Sequence, residues 1–332
     1  MAPRLAAALA TVVLLTGCSM GSAIPAPQAL GTAATTSSGP LPSPAHPATR
    51  FALAAGTCWT GELLGSDPQL GLSIASTFGI SYFDAAYALK DRPSFRTRAP
   101  CDSDHAVEVY KLVQAAAVSP AVADYNALLS TRSLDFVELS AAVDQACMDH
   151  TLAAAAARSG VPLASLEPAV AGMHTTWAPA TVEQWNRGQQ VYACLLVQDQ
   201  PGPIRYAALR SGGLGTGLRT CIASAPRIFV DCARKHDRER IAELDLTAAV
   251  MTGKFPVRYQ SQGAAFYRPL DRACTAYLRA VSTDHRFTGV AEFDPGSWPD
   301  ADGRYRISCE ADTAPGRPSK LTRGSVYNRP GY

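Results

Sequence analysis

Two apolar spacings recur along the chain and predict its elements. Residues 106–113 alternate. Val107, Val109, Lys111 and Val113 share one face, and Ala106, Glu108, Tyr110 and Leu112 share the other, as a strand requires. The runs Val191–Val197 and Tyr305–Cys309 read as further strands. Between them, Phe136, Leu139, Val143 and Cys147 recur at offsets of 3, 7 and 11, a helical stripe. Asp135 and Glu138 have capping-box spacing, so one helix is expected from there to Arg158, with Gly160 as its stop. Leu270, Cys274, Tyr277, Leu278 and Val281 form a second stripe, with Pro269 expected in its first turn. Helices and strands follow one another within each half, so the expected fold class is α+β.

The N-terminus has a different pattern. Arg4 precedes an apolar run from Leu5 to Leu15, about right for a secretory signal and too short for a comfortable membrane span. The run ends in Leu15-Thr16-Gly17-Cys18, which resembles the lipobox of bacterial lipoproteins. That resemblance implies acylation of the Cys18 thiol and cleavage before it, so residues 1–18 are expected to be a lipoprotein signal peptide. Two or more acyl chains anchor stably where one does not. The expected location is the extracytoplasmic face of the cell membrane. Residues 19–50 hold six prolines among Ala, Ser, Thr and Gly, with Arg50 as their only charge. They read as a disordered tether with a reach of at most roughly 100 Å.

The chain has nine cysteines, and setting Cys18 aside leaves eight, an even number in an exported protein. That favours disulfides over metal or redox chemistry, and no C-x-x-C occurs. The eight form two sets of four, and the local sequence repeats with them. Cys101 and His105 with Glu108, and Cys232 and His236 with Glu239, both read C-x3-H-x2-E. Gly188 to Cys194 and Gly303 to Cys309 both read G-x5-C, each after a tryptophan, Trp185 or Trp298. Shared markers in one order indicate an internal duplication. Two domains are therefore expected, 51–212 and 213–332, joined at the Gly-rich segment 212–217. The expected pairs are Cys58–Cys101, Cys147–Cys194, Cys221–Cys232 and Cys274–Cys309, although each set of four allows three connectivities.

Composition and charge narrow the function. The 332 residues are 47% hydrophobic and 17% charged, with a net charge of +2. That excludes a strongly cationic nucleic-acid binder. Residues 51–212 carry 10 basic and 15 acidic side chains, whereas 213–332 carry 18 and 13. The basic half could meet an anionic partner, or the two halves could attract one another. The repeated His105, Glu108, His236 and Glu239 are the candidate binding residues; alternatively, they lock the turn after each cysteine. No G-x-S-x-G or H-E-x-x-H occurs, so no catalytic residue, cofactor or metal is assigned. Asp149-His150 and Asp284-His285 are the only hints of a triad. The four tryptophans are expected to fill cores.

Gly56-Thr57-Cys58-Trp59, then Pro100 to Val109 with its C-x3-H-x2-E-V core, then Cys147 and Trp185 to Cys194, resemble the septum-formation domain of actinobacterial envelope proteins. The second half resembles a degraded copy, ending Leu321 to Val326. It departs in having Arg240 where the first copy has Val109, Tyr277 after its third cysteine, and ten residues between its first two cysteines. The first copy carries an insert, roughly 62–98. The resemblance implies an envelope protein linked to wall growth or septum formation, and it brings no reaction with it. The expected function is a non-catalytic binding or scaffolding module. Its partners would be the membrane through Cys18, and an envelope or divisome protein or an anionic wall polymer; no nucleic acid is expected. The alternative is an exported hydrolase acting on wall or lipid substrates.

Overall fold

In the computed structural model the described residues are 53–61, 68–89, 92–118, 125–128, 133–211, 214–224, 227–256, 263–292, 298–300, 303–313 and 323–328. The expected signal peptide with Cys18, the expected tether and Gly212-Gly213 lie outside them.

The first half contributes β1 (Thr57–Trp59), α1 (Pro68–Phe78), α2 (Tyr82–Leu89), β2 (Arg98–Ala99), β3 (His105–Gln114) and α3 (Ala115–Val118). It continues with α4 (Leu134–Cys147), α5 (His150–Ala157), β4 (Ser165–Pro168), β5 (Met173–Pro179), α6 (Val182–Asn186) and β6 (Val191–Gly202). The second half contributes β7 (Thr220–Ser224), β8 (Arg227–Val230), β9 (Arg238–Asp245), α7 (Thr247–Met251), α8 (Ala264–Val281), β10 (Phe287–Glu292) and β11 (Arg306–Thr313). This is a mixed α+β fold with antiparallel sheets.

The duplication is visible in the topology. One sheet runs β2-β1-β3-β6-β5 and the other β8-β7-β9-β11-β10, the same order with equivalent strands in equivalent places. In each half a disulfide ties the first strand to the segment before the long strand: Cys58–Cys101 and Cys221–Cys232. A second disulfide ties the main helix to a central strand, Cys147–Cys194 from α4 to β6 and Cys274–Cys309 from α8 to β11. Each helix lays its apolar stripe on its sheet. Leu139, Val143 and Cys147 join Val109, Tyr192 and Leu195 in one core. Leu270, Cys274 and Tyr277 join Ile241, Ile307 and Ala311 in the other.

The repeat boundary near residue 212 is crossed by packing. The short strand β4 pairs with β9, Leu166 opposite Leu244, beyond the stretch of β9 that β7 covers. Leu152, Ala155 and Ala156 of α5 and Leu166 of β4 are part of the second core. The Gly-rich joint is also built in: Leu214 is buried beside Leu196 and Leu209, and the Ala171 N–H donates to the Leu218 carbonyl at 2.9 Å. The described residues belong to one compact unit, Thr49–Tyr332.

Two local expectations are corrected. The single helix expected from Asp135 to Arg158 is two. Ser133, not Asp135, caps α4 through its Oγ, and the chain turns out of the helix at Met148 (ψ 142°). Asp149 then caps α5 by accepting from the Thr151 and Leu152 N–H groups. A carboxylate facing two N–H groups that would otherwise lack acceptors stabilises a new helix start more than it stabilises continuation. Pro269 lies in the second turn of α8, which starts at Ala264.

α8 also covers one sheet edge. Gly289 of the edge strand β10 has its carbonyl bonded by the Thr275 hydroxyl at 2.8 Å, and the Ala291 N–H is bonded by the Asp271 carboxylate at 2.8 Å. One helical turn separates Thr275 from Asp271, so a single helix face satisfies the outward main-chain groups of the strand. The sheet face away from α8 carries a ladder of ion pairs. Arg227 meets Glu310, Arg238 meets Glu292, Glu310 and Asp312, Arg240 meets Glu243, and Arg306 meets Glu243 and Asp300.

Candidate functional site

The repeated His–Glu pairs occupy matching environments. Both histidines are buried, and each Nδ1 lies against the carbonyl two residues earlier. His105 is 2.9 Å from Ser103 O, and His236 is 2.8 Å from Arg234 O. A carbonyl only accepts, so Nδ1 carries the proton in both rings. Each glutamate reaches across to a single 3-10 turn near the end of its half. Glu108 accepts from the Tyr206 N–H at 2.6 Å and from Arg205 Nε at 2.9 Å. Glu239 accepts from the Val326 N–H at 2.7 Å and the Ser325 hydroxyl at 2.7 Å.

The turns that are held in this way carry aromatic rings. Tyr206 stacks on Tyr110 with centroids 3.7 Å apart, and its hydroxyl donates to Asp149. Tyr327 lies under the Arg219 guanidinium at 3.6 Å, and its hydroxyl donates to the Ile241 carbonyl. The pattern C-x3-H-x2-E thus closes a tertiary clasp in each half. Sequence spacing places His and Glu three apart, on opposite strand faces, and the structure accordingly gives them separate partners.

The clasp predicts a stability effect. In Glu239→Gln the charge-assisted bonds are lost, and the new amide faces either the Val326 N–H or the Ser325 hydroxyl, which already accepts from the Tyr327 N–H. We expect a loss of about 2–3 kcal/mol, read as a lower urea midpoint at unchanged slope. A change below about 0.5 kcal/mol would show that the clasp does not hold the turn.

Other candidates are engaged structurally. Asp149 caps α5, as described above. Asp284 is buried and grips its neighbour Arg286 through both carboxylate oxygens. Neither assembles a triad. Cys221, Cys232 and Glu239 lie within 4.8 Å of one another, but the two sulfurs are bonded together and offer no thiolate to a metal. Trp59, Trp185 and Trp298 are buried; Trp177 is half-buried, with its indole N–H on the Ser140 hydroxyl.

The structure assembles one polar cluster that sequence spacing does not announce. Where β4 meets β9, Glu167, Asp245 and Glu243 come together with Asp144 of α4, and Arg304 lies 3.6 Å from Asp245. Burial, and then the charge of Glu167, push the Asp144 carboxyl well above the usual carboxylate range. Burial also lifts Glu167, to about 7, with Asp245 and Glu243 adding to it and Arg304 and a Thr175 hydrogen bond opposing it. The adjoining crevice, lined by Tyr110, Asp144, Glu167, Thr175 and Tyr206, holds only about 10 Å³. That is about one water, far short of a sugar ring or an acyl chain. Asp144 and Glu167 therefore face no substrate-sized space.

The cluster makes stability fall as pH rises. A carboxyl lifted from 4.5 to about 7 binds its proton more tightly in the folded state. Its contribution is complete below pH 4.5 and is lost as pH climbs through about 7. Glu167→Gln imitates the protonated form. The variant should match wild type near pH 4 and exceed it by up to about 3 kcal/mol at pH 8. Denaturant unfolding across that range checks this, and parallel profiles for the two proteins would refute it.

No family model, curated protein or solved structure matches this chain.

Proposed function

We propose that this chain is a lipid-anchored protein of the extracytoplasmic face of the cell membrane that works by binding or scaffolding, not by catalysis, in cell-wall growth or septum formation. The observation that carries the reading is the parallel use of the repeated polar residues. His105, Glu108, His236 and Glu239 are all engaged in holding turns, so the motif common to both halves builds the module and leaves its surface free to diverge. The small volume beside Asp144 and Glu167 argues the same way. Four disulfides fit an oxidising compartment. The lipobox-like Leu15 to Cys18 and the septum-formation resemblance supply the location and the process.

The charge of the second half fits an acidic partner, and part of it remains available. Arg234, Lys235, Arg268 and Arg272 are exposed, with no carboxylate partner among the described residues. The test has two arms. Purified full-length protein should release no soluble product from wall fragments or phospholipid over hours. Photo-crosslinking in growing cells should capture an envelope protein or wall polymer. Turnover of either substrate that survives repurification would overturn the reading.

A further inference from the structure

The two edges of the second sheet are treated differently. The β10 edge is closed by Thr275 and Asp271 of α8, whereas at the opposite edge β8 is the last strand and pairs, among the described residues, with β7 alone. Its side chains are exposed: Ile228 at 47% and Phe229 at 66%, among the largest apolar exposures of the described residues. The counterpart edge of the first sheet, β2, is two residues long and carries only Arg98 and Ala99. Native proteins blunt an exposed edge by shortening it, charging it or covering it. Of these devices, β8 shows a length of four residues and Arg227 at one end, and nothing among the described residues covers it.

The β8 edge is complementary to itself. In a two-fold antiparallel pairing centred on Phe229, Phe229 stands opposite Phe229 of a second copy. Ile228 then stands opposite Val230, and Arg227 opposite Asp231, each pair occurring twice. Aromatic and β-branched pairs meet in the centre and opposite charges at both ends, the combinations that stabilise adjacent strands, and no like charges face one another. Asp231 is exposed and uses Oδ1 on the Ala233 N–H. Arg227, with its side chain 57% exposed, pairs with Glu310 at 3.0 Å and Glu292 at 3.7 Å, and a guanidinium has five N–H donors, more than these two pairs use.

We propose that β8 is a self-association edge, on which a second copy of this chain adds its own β8 to make one sheet continuous across two molecules. The strand is short, so the contact is smaller than a standard interface, and the dimer in solution is weak and concentration-dependent. Anchoring both copies on one membrane, which rests on the proposed function, would raise their effective concentration. The pairing itself does not depend on that reading.

The test uses the full chain in non-ionic detergent, with sedimentation velocity from low to high micromolar concentration. Wild type should shift from monomer to dimer. Phe229→Asp sets two carboxylates against each other, gives up within the chain the contact of its ring with the Arg240 guanidinium at 5.4 Å, and should weaken the dimer at least tenfold. Asp231→Arg, which leaves the Arg227 pairs with Glu310 and Glu292 in place and sets the new guanidinium against Arg227 of the second copy, should also weaken it. A photo-crosslinking residue at position 229 should yield a homodimer. Three results would overturn the proposal: a monomer at every concentration, a dimer indifferent to Phe229→Asp, or a dimer indifferent to Asp231→Arg. A crosslink at 229 to lipid or to another protein in place of the homodimer would also overturn it. None of these outcomes bears on wall-fragment turnover, which tests the functional reading separately.

Discussion

Replacing Gly289 with alanine should be among the most damaging single changes in the protein. A Cβ at 289 would sit 2.3 Å from the Cys274 carbonyl carbon and 2.3 Å from the Thr275 nitrogen, both backbone atoms of α8. Backbone cannot swing aside as a side-chain tip can, so the helix must retreat from β10. That retreat pulls on the two bonds that close the edge, Thr275 to Gly289 and Asp271 to Ala291, and on the neighbouring Cys274–Cys309 bridge. We expect a loss of about 3 kcal/mol or more, a large share of a typical domain's 5–15 kcal/mol. Gly215→Ala is the control. Its added methyl meets no atom within 4 Å, so stability should stay within about 0.5 kcal/mol. Urea midpoints decide it, and a G289A midpoint near wild type would show that α8 does not lean on β10 as described.

Removing the Cys274–Cys309 bridge as a serine pair should cost a similar amount. The bond spans 35 residues and joins two fully buried side chains. Chain entropy alone assigns it roughly 4 kcal/mol, and roughly 3 kcal/mol to Cys221–Cys232, which spans 11 residues. The longer bridge also fastens the helix that covers the β10 edge, so its loss should expose that edge and promote aggregation. Unfolding of both serine variants under non-reducing conditions should rank them in this order. The reverse order would mean that denatured-state entropy does not govern these bridges.

Much of the fold could be read in residue patterns because those patterns are local. The alternation of Val107, Val109 and Val113 states a half-buried strand, and the stripe of Leu270, Cys274, Tyr277 and Leu278 states a helix face. Asp149 shows the limit. As a letter it continues a helical run as well as it starts a new one, and its capping role appears only once the chain turns out of the helix at Met148. β4 is a clearer case. Four residues, Ser165–Pro168, carry too little pattern to choose a sheet, and they join the second one because β9 extends past the end of β7.

The candidate site divides in the same way. His105 and Glu108 were conspicuous as a repeated motif, but their partners Ser103, Arg205 and Tyr206 had no mark of their own. Asp144, Glu167 and Asp245 come from separate segments, and only packing puts their charges together. An even cysteine count, two sets of four, a repeated order of markers and the alternation of apolar positions were properties of the chain itself, since each is a matter of composition or short-range spacing. Which sulfurs meet, which strand β4 joins, why residue 289 must lack a side chain, and which sheet edge α8 closes were decided in three dimensions. Those outcomes rest on contacts between residues far apart in sequence, where the cost of closing the loop is repaid only when whole faces pack together.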